Sequence, residues 1–128
     1  PYNVTPEHTA SAKSILGADK WLAVEQKVCL EKSPSEARAL ARRELERYLG
    51  LPNYRQCWHN LGFSEADLDN GGSDRFIDAM VVWGNEDKIQ QRLDEHFDAG
   101  ATHVCIQPVH TPDDLDAAEK TLEALAPG

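Results

Sequence analysis

The chain has 128 residues, which suits one domain able to bury roughly two-thirds of the surface its unfolded form exposes. Its 22 acidic residues against 13 lysines and arginines give a formal net charge of −9, which argues against nucleic acid or an anionic membrane as the main partner. Apolar runs of about five residues fall far short of the roughly 20 that a membrane-spanning helix needs.

No signal or transit sequence is recognisable from Pro1 onward, so a cytoplasmic setting is expected. Cys29, Cys57 and Cys105 are odd in number and widely spaced, which suits reduced, structural thiols. Cys57 and His59 lie about 200° apart around a helix, and no spacing matches the usual zinc patterns, so no metal is expected.

In chain order, Tyr2 to Val4 reads as the tail of a strand. Thr5 caps a helix with Pro6 in its first turn, running to about Leu16 and stopped by Gly17. Glu25 to Leu30 reads as a strand whose near-continuous apolar end suits cover on both sides. Ser33-Pro34-Ser35-Glu36 is a helix start with a capping serine, a first-turn proline and a glutamate at the third position. Ala37, Leu40, Ala41, Leu45, Tyr48 and Leu49 form that helix's buried stripe. Arg38, Arg42 and Arg43, with Glu44 and Glu46, read as its solvated side.

A short helix is expected from about Asn53 to Leu61, and one turn from Ser64 to Leu68. The loop Asp69-Asn70-Gly71-Gly72 precedes a helix that starts at Ser73 or Asp74 and runs through Val82. Asn85 caps the next helix, with Glu86 and Asp87 in its first turn and Ile89, Leu93 and Phe97 on one face. Gly100 ends it, and a strand from Thr102 to Gln107 follows. A last helix starts near Thr111-Pro112-Asp113-Asp114 with Leu115, Ala118, Leu122 and Leu125 as its apolar face. Strands separated by helices imply parallel pairing. The extended opening at Pro1, without an initiator methionine, suggests the back end of a larger β/α protein.

Among candidate functional residues, Gly71-Gly72-Ser73-Asp74-Arg75 suits an anion contact. The glycines admit close backbone approach, Ser73 opens a helix, and Arg75 can form a bidentate charge-assisted bond. A plain turn with an N-cap, and Arg75 paired to a neighbouring aspartate, is the alternative. His8, in the first turn of its helix, suits a role in the cap or at the solvated surface, with a ligand contact as the alternative, and Tyr2, at a strand end, is placed to line a pocket. His110 follows the last strand and is similarly placed, with an ordinary turn at Thr111-Pro112 as the alternative, and Tyr54 and Trp58 suit packing. No nucleophile–base pair or carboxylate pair stands out.

The blocks PYNVTPEHT, LAVEQKVCLE, ARRELERYLGLPNYRQCW, LGF, GGSDRFIDAMVVWG and DAGATHVCIQ, in this order and spacing, resemble the C-terminal part of luciferase-like flavin and deazaflavin oxidoreductases. The branch using coenzyme F-420 is the most similar. The resemblance implies an α/β fold forming the C-terminal part of a (β/α)₈ barrel, incomplete here. Tyr2–Val4, Glu25–Leu30 and His103–Gln107 would then be about strands six to eight, and residues 33–84 an enlarged helical connection.

It implies coenzyme F-420 or flavin mononucleotide as cofactor, with hydride transfer or monooxygenation by molecular oxygen on a small organic substrate. Tyr2, His8, Gly72, Ser73 and Arg75 become cofactor- or substrate-binding candidates. The site is expected at the strand ends, Val4–Thr5, Leu30–Ser33 and Gln107–His110. No residue is expected to act as nucleophile or base, because the cofactor carries the chemistry. The isolated chain is expected to have little turnover. The alternative is a non-catalytic half-barrel that assembles through exposed strand edges, with an identical copy or with the missing N-terminal half.

Overall fold

The computed structural model describes all residues from Pro1 to Gly128. Seven helices and three strands follow in the order α1 (Pro6–Leu16), β1 (Ala23–Cys29), α2 (Pro34–Leu49), α3 (Pro52–Asn60), α4 (Glu65–Leu68), α5 (Asp74–Met80), β2 (Val81–Trp83), α6 (Glu86–Asp98), β3 (His103–Pro108) and α7 (Leu115–Leu125). The helix starts read from sequence at Thr5, Ser33, Ser73 and Asn85 are in place, joined by caps at Ser64 and at Asp114, where α7 begins later than Thr111. Thr5, Ser33, Ser64, Ser73, Asn85 and Asp114 each accept a backbone N–H at the third helical position. Gly100 takes φ +111° after α6, and a Cβ there would lie 2.5 Å from Lys13 Cγ, so this stop also lets α1 approach.

The sheet is parallel, with β1 central and the strands in the order β2-β1-β3. Val28 pairs with Val82 on one side and Pro108 on the other. Alternation along the strands divides the core. Cys29, Val81 and Val109 face α2, α3 and α5, around Leu45, Trp58, Phe76, Ile77 and Met80. Val28 and Val82 face Ile89 and Leu93 of α6 and, with Val104 and Ile106, Leu125 of α7. Helices therefore cover both faces.

This arrangement corrects the expected barrel. In a (β/α)₈ barrel consecutive strands are neighbours, the sheet closes on itself, and the helices lie outside only. Here the connection from β2 to β3 passes over β1, the sheet is open, and helices lie on both faces. The chain is a small three-stranded α/β domain. Tyr2–Val4 is not a strand: Asn3 takes φ +55°, although the Pro1 carbonyl accepts the Glu25 N–H at 3.1 Å. The helix expected through Val82 ends at Met80, and Val81–Trp83 pairs with Lys27–Cys29 as β2. Three apolar, partly β-branched residues beside a free strand prefer a ladder to one more helical turn.

Two expected helix stripes also shift. Phe97 is 47% exposed while its neighbour His96 is fully buried, and in α7 Thr121 is buried while Leu115 and Leu122 are exposed. His96 packs against β1 through hydrogen bonds. Its Nε2 meets Gln26 Oε1 at 2.9 Å and its Nδ1 meets Thr9 Oγ1 at 2.9 Å. Gln26 Nε2 donates to the Lys27 and Met80 carbonyls, so Oε1 must accept. His96 is therefore the neutral tautomer protonated on Nε2.

Burial, followed by the nearby Arg92 charge and opposed by Glu7, lowers the His96 pKa to about 4. Because this lies below the unfolded value near 6.5, the unfolded chain binds more protons between the two. The stability held by the neutral ring is complete above about pH 6.5 and declines as pH falls toward 4, by up to about 3 kcal/mol. Urea titrations at pH 7 and pH 4.5 should show this loss, and His96→Gln should flatten that part of the pH profile. An unchanged slope in the variant would assign the acid sensitivity elsewhere.

Candidate functional site

In an open parallel sheet, ligands bind beyond the carboxyl ends of strands whose outgoing connections turn to opposite faces. β1 leads into α2 on one face, and its neighbour β3 leads into α7 on the other. A cleft of about 250 Å³ opens at that point. Its floor is Cys29, Leu30 and Val109, Leu40 of α2 closes one side, and Ala117, Lys120 and Thr121 of α7 close the other. Glu31, His110, Thr111 and Asp114 complete the polar lining.

The polar groups have defined roles. His110 Nδ1 lies 2.7 Å from the Thr111 carbonyl and must donate to it, which leaves Nε2 as an acceptor in the neutral ring. Glu31 Oε1 accepts the Ser33 N–H and Asp114 Oδ1 accepts the Ala117 N–H, so both carboxylates also hold helix starts. Lys120 is exposed and forms no ion pair. Burial, with Glu31 adding to it, pushes the Cys29 thiol up to about 11, so this sulfur is a protonated, inert wall. The cleft can bind a small polar ligand through Lys120, Thr111 and His110 against an apolar floor.

Of the residues singled out from sequence only His110 lies there, and the others do not converge with it. Gly72 has φ +98°, and a Cβ would stand 3.0 Å from Phe76 and 3.1 Å from Ile77, so backbone conformation and packing on α5 together account for glycine without a ligand. Its carbonyl accepts Arg42 Nε at 3.1 Å. Ser73 Oγ accepts the Phe76 N–H and donates to Asp67 Oδ1 at 2.7 Å. Arg75 donates to the Gly62 carbonyl at 3.1 Å and lies over the Phe63 ring. It also lines a groove of about 300 Å³ with Thr5 and Glu7 at the start of α1. The loop is thus satisfied by its own chain.

Tyr2 lies on the sheet, its ring centre 3.7 Å from Lys27 Nζ and its hydroxyl donating to Gln107 Oε1 at 2.6 Å. His8 is half-buried with Nδ1 unpartnered, and burial, then the amino-terminal charge, lowers its pKa. The expected rim segments fare better: Leu30–Ser33 and Gln107–His110 supply Leu30, Glu31, Val109 and His110 to the cleft. Lys120 and Thr121 escaped sequence reading because α7 reaches the cleft only through tertiary packing.

The buried cluster around Lys27 also escaped it. Lys27 is 1% exposed, lies 3.1 Å from Glu25 Oε1 and 3.4 Å from Gln107 Oε1, and is capped by Tyr2 and Tyr48. Nothing in the spacing of β1 marks Lys27 as buried, because a lysine in a strand ordinarily faces solvent.

The residues present do not by themselves fit a whole flavin or deazaflavin. The cleft is smaller than the roughly 300–1,000 Å³ of pockets that bury a drug-sized ligand. The donors expected to hold a phosphate are engaged within the chain: the Gly72 N–H donates to the Asp69 carbonyl at 3.1 Å, the Ser73 N–H to the Asp67 carbonyl at 2.7 Å, the Ser73 hydroxyl to Asp67 Oδ1, and Arg75 to the Gly62 carbonyl. No known protein family, curated protein or solved structure matches the chain.

Proposed function

We propose that the chain is part of a flavin- or deazaflavin-dependent oxidoreductase acting on a small organic substrate in the cytoplasm. It supplies one wall of the ligand pocket and has little turnover alone. The observation that carries this reading is the cleft at the carboxyl ends of β1 and β3. The blocks LAVEQKVCLE and DAGATHVCIQ, on which the oxidoreductase resemblance rests, form the strands leading into it. Lys120, Thr111 and His110 suit the polar end of such a ligand, and the rest of the cofactor needs further polypeptide.

Titrating the isotope-labelled chain with flavin mononucleotide, and separately with coenzyme F-420, tests this by NMR. The expected result is weak, millimolar, saturable shifts confined to Leu30, Glu31, His110, Thr111 and Lys120. Lys120→Ala should weaken that binding several-fold with the fold intact, because a charge-assisted contact contributes about 1–3 kcal/mol at most and less when exposed. Shifts scattered over the surface, or none at these residues, would remove the support.

A further inference from the structure

β3 pairs with β1 along one side, and its other side is a free edge six residues long. The Val109 N–H donates to the Val28 carbonyl at 2.8 Å, and alternate residues of a strand turn their backbone groups to the same side. Residues 105, 107 and 109 therefore face β1. The N–H and C=O of Val104 and Ile106 point outward, and Pro108 offers outward only a carbonyl. Proteins guard such edges with charged side chains, bulges or proline, and here the single proline is the last residue, leaving His103 to Gln107 without one. His103–Pro108 carries no Asp, Glu, Lys or Arg, although the chain's net charge is −9. Cys105 is exposed, and at the start of the strand Trp21, 78% exposed, stacks on His103 at 4.6 Å.

We propose that this edge joins two copies of the chain, β3 pairing antiparallel with β3 about a two-fold axis at Cys105. The register follows from which groups are free. Centred on Cys105, Val104 of each copy meets Ile106 of the other, and the two pairs exchange four backbone hydrogen bonds. Centring on Ile106 would set Val104 against Pro108, which has no N–H to give. Centring on Val104 would set Ile106 against Thr102, whose N–H already binds the Leu22 carbonyl.

Only the Cys105 register makes every bond one of a reciprocal pair, each free N–H facing a residue that donates back, and keeps the Pro108 ring from facing a carbonyl. It also brings no like charges opposite one another, so two acidic chains meet along their neutral strands. The two Cys105 residues become a non-hydrogen-bonded pair with Cα atoms about 4.5 Å apart, within disulfide reach. His103 meets Gln107 of the second copy, and Trp21 extends the contact beyond the strand.

Light scattering under reducing conditions, across a concentration series reaching hundreds of micromolar, should show a dimer of the 14.2 kDa chain. One equivalent of 4,4′-dithiodipyridine takes two electrons and two protons from a facing thiol pair, leaving one interchain disulfide and two thiopyridones. A covalent dimer should form rapidly, be lost in Cys105→Ser, and persist in Cys57→Ser. Cys105→Lys sets two ammonium groups face to face on an exposed position and should raise the dimer dissociation constant at least tenfold, with native circular dichroism. A monomer throughout the series, a cross-link that does not run through Cys105, or a dimer indifferent to Cys105→Lys would each overturn the proposal.

Discussion

Trp58→Ala is expected to cost about 3–5 kcal/mol, against the 5–15 kcal/mol that usually holds a domain together. Trp58 is fully buried, packs edge-on against Phe76 at 4.8 Å and lies beside Tyr54 at 5.6 Å. Its Nε1–H donates to the Asn3 carbonyl at 3.0 Å, tying the opening segment to the helices over one face of the sheet. Truncation leaves a cavity among Leu45, Phe63, Phe76 and Met80, and strips a buried carbonyl of its donor. Urea denaturation should place the variant's midpoint at least about 1 M below that of the parent. Trp58→Phe keeps most of the packing and loses the donor, so about 1–3 kcal/mol is expected. Equal losses for the two variants would mean that the hydrogen bond, not the ring volume, dominates.

The second large effect concerns the Lys27 cluster, where the two partners should behave oppositely. Glu25→Ala leaves a fully buried ammonium without its carboxylate and should cost about 3 kcal/mol. The Tyr2 ring, 3.7 Å away, and Gln107 offset only part of that loss. Lys27→Met removes the charge that needs a partner and keeps an unbranched chain of similar length. Glu25 stays partly solvated, so this variant should lie within about 1 kcal/mol of the parent. Chemical denaturation of both variants decides the matter. A neutral Glu25→Ala, or a Lys27→Met as damaging as Glu25→Ala, would show that the ion pair does not govern the cluster.

How far the sequence is legible depends on the range of the interaction behind each feature. Helix boundaries rest on contacts within four residues, and the serine, threonine and asparagine caps with their following prolines and acids state them locally. The buried stripe of α2 is equally local, since one face of a regular helix meets one surface. β2 was not legible. Three residues at the end of a helical pattern become a strand only because β1 lies beside them. His96 in place of Phe97 was hidden for the same reason, because a histidine enters a core only where Gln26 and Thr9 satisfy its ring.

The candidate site divides in the same way. The rim segments after β1 and β3 could be named in advance, because ligands gather at the carboxyl ends of parallel strands whatever the wider fold. The roles expected for Gly72, Ser73 and Arg75 rested on the loop's own residue types, whereas the bonds from Arg42 and to Asp67 arise from the packing of α2 and α4 around it. Lys120 came to the cleft with α7, and no spacing along the chain connects it to Leu30 or His110.

By itself the sequence determined the helices, two of the three strands, their parallel sense and the acidic surface, because periodicity, capping and charge act through near neighbours. Only the tertiary structure decided that β1 lies between β2 and β3, that helices cover both faces, and that the sheet stays open. Strand order is a choice among pairings that local propensity leaves nearly equal in energy, and it is settled by which apolar faces find cover.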